Sequence, residues 1–504
     1  MSAEPSPAGR YRLAQQGVAA VSVGVLLAYV ACAARLIRYP WDWSPDEGLF
    51  LDWGRRALQH PATLYAHSWV PFPAAYGPGM PVLLAPLTTL GMQALPAARL
   101  MALLWTAGSA VAVYLLARPA GALLGLAAAA MSIAAFDLTS YTMLIRPDGP
   151  MIALWLFAAM ALLPARLEPG ADCLGAGRLA AGTALLLLGT LTKLTFVLHA
   201  APLVVAWTLV DRRSATRLTG VLVIGGALVV AALEWATSGG YLWANGVWLL
   251  HGTQPGLPRL ILAYMLERAW PYVALVLAAL ALAWTRRREA LREAALVLVA
   301  GALLVIPLLS KFGASWNYML PLLPALAVLA ARWGALAARG RPGLRLVPAA
   351  TIATVAALLA LTRAFPVPTP LDERTANAFY GFVAEHTRRS GGPILALRPE
   401  LAYFVVGQPV EMEGSCFVAL AQRGAPGCER ILGRLQNGAY TLVVRLHEMP
   451  GGEYSAATAA RYVHAGGCNL SFYFGTAPVH LFTRRDLPLY MAPPAGTRCG
   501  GAGS

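Results

Sequence analysis

The sequence is short of charge, and of lysine above all. Only 12% of its 504 residues are charged, about half of the roughly 25% usual in a soluble globular chain. Among 39 lysines and arginines, only Lys193 and Lys311 are lysine. So broad an arginine bias reflects a GC-rich genome rather than a choice at each site. The chain has 6 cysteines, too small a share for a disulfide-dense scaffold. None is spaced as a zinc ligand set, so no resident zinc site is expected. No Walker A, HExxH or GxSxG signature appears, and no paired glycine-rich loop. The formal charge of +15 invites a nucleic-acid partner. That reading fails because no basic cluster sits on a soluble, aromatic-bearing domain.

What is abundant is apolar. Hydrophobic residues make up 58% of the chain and the mean hydropathy is +0.58, which leaves a polytopic membrane protein. Runs long enough to span lie at about 16–37, 98–117, 120–136, 149–165, 179–192, 194–210, 218–235, 271–285, 294–310, 318–336 and 346–362, about eleven transmembrane helices by length. The pair around Leu191–Lys193 reads as one long helix or two short broken ones. The stretch 79–95 either spans or lies at the interface, and loop charge decides. If it does not span, Arg10, Arg118, Arg166, Arg212, Arg286–Arg288, Arg332 and Arg339 all fall on one side, which the positive-inside rule makes cytoplasmic. It is therefore expected to be a juxtamembrane or re-entrant helix, with the N-terminus inside.

The chain divides into a mainly α transmembrane domain, residues 1–362, and a small α/β domain, 363–504, on the extracytoplasmic face. The first outer loop covers about 39–97. In the tail, LDERTANAFYGFVAEHTRR reads as an amphipathic helix closed by Ser-Gly-Gly. PILALRPE, AYFVVG, TLVVRLH, SFYFG and VHLFTRR read as strands. Cys416, Cys428, Cys468 and Cys499 lie in this domain. An even set suits disulfides in an oxidising compartment, Cys416–Cys428 and Cys468–Cys499 being one of three pairings, and free buried thiols are the alternative.

Chemistry-bearing residues gather at the outer edge. The first loop holds Asp46 and Glu47 among Trp41, Trp43, Tyr65 and Tyr76. Ser44-Pro45-Asp46-Glu47 is also a capping box, so Glu47 could simply cap and Asp46 could simply favour a helix dipole. The functional alternative makes Asp46 a general base. Arg146 and Asp148 follow at a span exit, close enough to pair with each other or to face the same cleft. Lys193 sits in near-continuous apolar sequence, a functional candidate by default unless it snorkels. Lys311 precedes Asn317 and Tyr318 at another outer edge, and an ammonium is a compact donor for phosphate oxygens.

The Asp-Glu pair after the first span, the Tyr-Gly-Pro-Gly lead-in to the next apolar helix, the Arg-x-Asp, the Thr-Lys turn and the Asn-Tyr-x-Leu-Pro segment occur in this order. Together they resemble the C-type glycosyltransferase superfamily over about residues 16–362. The resemblance is to its bacterial protein-O-mannosyltransferase-like and lipid A aminoarabinose transferase-like members. It implies a polyprenyl-phosphate sugar donor, a cell-envelope acceptor and action on the outer face of the bacterial inner membrane. It places the catalytic carboxylates on Asp46, Glu47 and Asp148, and the phosphate contacts on Lys193, Lys311 and Arg146. Tyr65, Tyr76, Asn317 and Tyr318 are expected to line the sugar or acceptor site. A divalent cation, Mg or Mn, shared between a carboxylate and the phosphate is compatible with this chemistry. The rival reading is a transporter or flippase of lipid-linked saccharides, which inverted repeats or charges near span centres would favour.

Overall fold

The computed structural model describes residues 7–44, 46–65, 74, 76–164, 166–170, 172–249, 253–311, 314–341, 344–396, 428–446, 453–472 and 475–487. The chain is mainly helical, with a small C-terminal sheet. In order the helices are α1 (Pro7–Arg38), α2 (Glu47–Gln59), α3 (Gly79–Leu84), α4 (Ala94–Ala117), α5 (Ala122–Ile133), α6 (Phe136–Thr139) and α7 (Asp148–Leu162). They continue as α8 (Ala176–Thr192), α9 (Phe196–Val210), α10 (Arg212–Ala236), α11 (Gly240–Leu249), α12 (Leu257–Leu282) and α13 (Arg287–Leu291). The membrane part ends with α14 (Leu296–Leu303), α15 (Leu322–Ala338) and α16 (Val347–Thr362).

Five helices are long and apolar enough to cross a membrane, or up to seven when each of two bent helix pairs counts as one span. One bend, of 66°, joins α5 to the α6 turn. Four further apolar helices are shorter, α7, α8, α9 and α16. Of these, α7 is mostly enclosed by protein, whereas α8 and α16 are buried along one side only. At the centre, α5 packs on α1, α4, α15 and α16. Its buried face is small: Ala127, Ala128 and Ala130. Small residues let helix backbones approach, which is how helices associate where lipid offers no hydrophobic drive. By contrast only 6% of the apolar window of α10 is buried, so this helix presents its sides to lipid.

Residues 79–95 do not form a regular span. They make the six-residue α3 and a 3-10 run broken at Gly91, whose φ of 57° is left-handed, before α4 begins. The run 194–210 is likewise separate from its predecessor, because α8 stops at Thr192 and Lys193 is extended. One span starts well before its expected boundary. The span placed at 271–285 begins at Leu257 and carries Pro271 inside it. The charged Glu267 and Arg268 made its first half read as loop.

In the tail, α17 (Pro370–Ser390) begins on a complete capping box, Thr369 with Asp372, and ends at Gly391 with φ of 68°. These are the start and stop signals that its sequence displays. It packs on a four-stranded sheet of β1 (Ile394–Ala396), β2 (Leu442–Leu446), β3 (Tyr462–Phe472) and β4 (Gly475–Arg484), ordered β1-β2-β4-β3. The β1–β2 pair is parallel and the other two are antiparallel. Two short helices, α18 (Cys428–Gln436) and α19 (Glu453–Arg461), complete it. AYFVVG, Cys416 and Cys499 lie outside the described residues, as do the side chains of Cys428 and Cys468.

The tail is tied to the first loop just ahead of Asp46. The Trp41 ring stacks on Tyr380 at 4.1 Å, and its indole N–H donates to Asn377 at 2.6 Å. The Tyr380 hydroxyl donates to Asp42 at 2.9 Å, and the Trp43 indole donates to the Pro366 carbonyl at 3.1 Å. These two tryptophans serve domain docking.

Candidate active site

Three loop ends converge: the start of α2, the turn before α7, and the Lys193 break between α8 and α9. A fourth element, the 3-10 turn Trp316–Met319, closes them. Asp46 is the residue before α2 and makes no capping hydrogen bond. Its carboxylate instead pairs with Arg146. The two side chains keep 20% and 15% exposure, which sets them apart from the buried groups behind them. The Arg146 guanidinium lies 4.4 Å over the Tyr141 ring. Tyr141 in turn meets Trp316 edge-on at 4.8 Å. This cation–π platform holds the guanidinium in place.

Behind that pair lies a sealed one. Lys193 donates to Asp148 at 2.6 Å, with side-chain exposures of 3% and 1%. The Asn317 amide donates to both Asp148 oxygens, at 3.2 and 3.3 Å, and the Ser315 hydroxyl fixes Asn317 by donating to its oxygen at 2.8 Å. The Lys193 ammonium also sits 4.5 Å over the Tyr318 ring. Asp148 starts α7, where the helix dipole favours its negative charge. Thus Asn317 and Tyr318, expected beside a sugar, brace the Asp148–Lys193 pair. Lys311 is not among the described partners of Asp148 or Lys193; its backbone forms a bridge with Thr253.

Glu47 turns away from the cleft. Its two oxygens meet Arg99 at 2.9 and 2.6 Å, both side chains being fully buried. They also accept from the backbone N–H groups of Trp43 at 2.6 Å, Ser44 at 3.3 Å and Ile145 at 3.4 Å. Both carboxylate oxygens of Glu47 are thus occupied by donors within the protein. The Ser44 contact is the returning half of the capping box. Arg99 donates further to the carbonyls of Leu36, Tyr39 and Trp41 at 3.0, 2.7 and 2.8 Å. It thereby closes the C-terminal end of α1 and holds the Asp46 loop against α4. Sequence reasoning missed this arginine, although a lone charge in the 24-residue apolar α4 was a signal in its own right.

Tyr65 is buried and donates to the Tyr76 carbonyl at 2.7 Å. Burial, with Tyr241 close by, pushes its phenol well above the usual range. Tyr76 is half-buried and packs between Phe50 and Trp53 at 5.5 and 6.2 Å. Both tyrosines shape the loop. The glycines that follow Tyr76 have a stricter task. A Cβ on Gly77 would lie 2.0 Å from the Leu191 carbonyl oxygen, and one on Gly79 would lie 3.0 Å from Leu191 backbone. These residues therefore abut the turn that presents Lys193. Gly77→Ala must move that turn, because the obstacle is backbone. It is expected to cost about 1–3 kcal/mol, as overpacking does, and to lower turnover at least tenfold. Gly226→Ala, with open space around it, should be neutral or slightly stabilising. Thermal unfolding and turnover of the two purified variants check this.

Among the described residues no three His, Cys, Asp or Glu side chains converge as a metal would need. Asp46, Glu47 and Asp148 each already face a cation. The three carboxylates are thus each matched to a separate side-chain cation.

No family model matches the chain, and no curated protein matches it. Among solved structures it resembles ArnT from Cupriavidus metallidurans in the apo state, at 17% identity and a TM-score of 0.58, covering 91% of this chain and 98% of that one. The same enzyme bound to undecaprenyl phosphate gives 16% identity, the same coverage and a TM-score of 0.57. The chain shares the fold of that enzyme. At these identities the likeness is one of fold, over nearly the whole of both chains. The resemblance drawn from the motif order over about residues 16–362 is matched by this likeness of fold.

Proposed function

We propose that the protein transfers a sugar from a polyprenyl-phosphate donor to a hydroxyl of a cell-envelope acceptor, with inversion at the anomeric carbon. The observation that carries this is the partly open Asp46–Arg146 pair beside the sealed Asp148–Lys193 pair. Asp46 combines an anionic oxygen with access to the cleft. It takes the proton of the acceptor hydroxyl, whose oxygen attacks the anomeric carbon. The bond from that carbon to the phosphate oxygen breaks, and its electron pair leaves with polyprenyl phosphate. Negative charge grows on the phosphate, so a cation already in place lowers the barrier.

Arg146 is that cation. It is accessible, and a planar guanidinium suits phosphate oxygens. Turning from Asp46 to the phosphate would also release the carboxylate to act as base, so donor binding would arm it. Lys193 is buried and neutralised by Asp148, and it serves as the strut that holds Arg146's turn in place.

Fold likeness to a structure bound to undecaprenyl phosphate supports a lipid-linked donor. The outer-face assignment rests on loop charge. Arg118 follows α4, Arg166 follows α7 and Arg339 follows α15, at the helix ends remote from Asp46, and basic loops stay cytoplasmic. Mass spectrometry of envelope glycans and lipids, with and without the protein, tests the proposal. One missing sugar is expected, and it names donor and acceptor together. An unchanged profile in cells that make the protein overturns it.

A further inference from the structure

The helices that present the site carry something else at their far ends. α7 starts at Asp148 and is followed by Arg166. α15 starts just past Asn317 and Tyr318 and leads to Arg339. Its 17 residues span about 25 Å. There, a cavity of about 480 Å³ is lined by Arg166, Arg332, Arg339 and Arg345 with one carboxylate, Glu293, and by Pro119 of the α4–α5 loop.

The positive-inside rule explains why arginines lie on this side. It does not explain why arginines from separate loops surround one hollow. Nor are all of them neutralised there. Arg332 pairs with Glu293 at 3.0 Å and Arg339 with Glu289 at 2.8 Å. Arg166 is 4.0 Å from Glu168, which sits nearer Arg292 at 3.1 Å. Arg345 is exposed and has no ion pair among the described residues. Arg345 thus lines the cavity with no carboxylate partner among the described residues, and Arg166 with only a long contact to a carboxylate that it shares with Arg292.

We propose that this cavity is a second, cytoplasmic-side binding site for a phosphate group, filled from the bilayer by the headgroup of an anionic phospholipid. Guanidinium pairs match phosphate oxygens in charge and in planar geometry, and basic pockets between membrane helices on the cytoplasmic side recognise such headgroups. The site is separate from the sugar-transfer centre, and its occupant would clamp the α4–α5 loop to the ends of α7 and α15. These helices position Asp148, Asn317 and Arg146 at their other ends.

The test uses the full-length protein in detergent, with lipid retention read by native mass spectrometry against added phosphatidylglycerol or phosphatidylcholine. Inorganic pyrophosphate is titrated separately. The wild type should retain phosphatidylglycerol in preference to phosphatidylcholine. The double variant Arg166→Gln/Arg345→Gln should retain it about tenfold or more less. Arg213→Gln/Arg217→Gln removes equal charge from the first turns of α10 and should retain it as wild type does. Saturable pyrophosphate binding lost in the first variant, with no lipid preference, would keep the phosphate site and overturn its lipid source. Equal loss in both double variants, or no loss in the first, would overturn the site.

Discussion

Asp46→Asn is expected to lower sugar transfer by about 10²–10⁴-fold, the range typical of a lost general base, while the protein accumulates normally. Asparagine keeps the shape of the side chain and can still meet Arg146, but it cannot take the acceptor proton. Because Asp46 is partly exposed and makes no capping hydrogen bond, little folding energy rests on it. Donor binding should survive, so the loss should fall on kcat more than on KM. Asp46→Glu should recover part of the rate, since it restores a carboxylate at a shifted distance. Near-normal turnover of Asp46→Asn would remove the base from the account.

Arg99→Leu should act through the fold instead. It leaves Glu47 as a buried carboxylate without its cation and strips three carbonyls of their donor. Breaking one side of a buried pair costs about 3–5 kcal/mol. We expect little folded protein, or a sharply lower Tm, whatever the substrate. Arg99→Leu/Glu47→Leu should regain part of that loss, because no lone charge remains. The regain is incomplete, since the N–H groups of Trp43, Ser44 and Ile145 lose their acceptor. A double-mutant cycle on thermal stability measures the coupling. An additive cycle would mean that the pair does not hold the Asp46 loop.

These two residues also mark what was legible in the sequence. Local signals read well. The amphipathic tail helix with its glycine stop and, of the two readings open at Lys193, the broken one each depend on neighbours in sequence. Asp46, Arg146, Asp148 and Lys193 were legible as charges at the edges of apolar runs, and the fold brings them together. Their partners were not legible. Whether Glu47 faced the cleft or the core depended on Arg99, 52 positions away, and nothing local encodes that distance. The same holds for Trp41, whose platform Tyr380 lies in the other domain. β3 was seen only at its SFYFG end, because Gly466 and Gly467 weaken strand character. The register shift between His464 and Gly466 falls there, as a glycine within a strand often signals.

The most direct test reconstitutes the purified protein in liposomes with a panel of polyprenyl-phosphate sugars and an envelope extract as acceptor. It follows release of polyprenyl phosphate and the anomeric configuration of the new glycosidic bond. The account predicts one polyprenyl phosphate released per sugar transferred, an inverted anomeric centre, and neither with Asp46→Asn. Intact lipid-linked sugar crossing to the other leaflet with no bond broken would contradict it and make the protein a flippase.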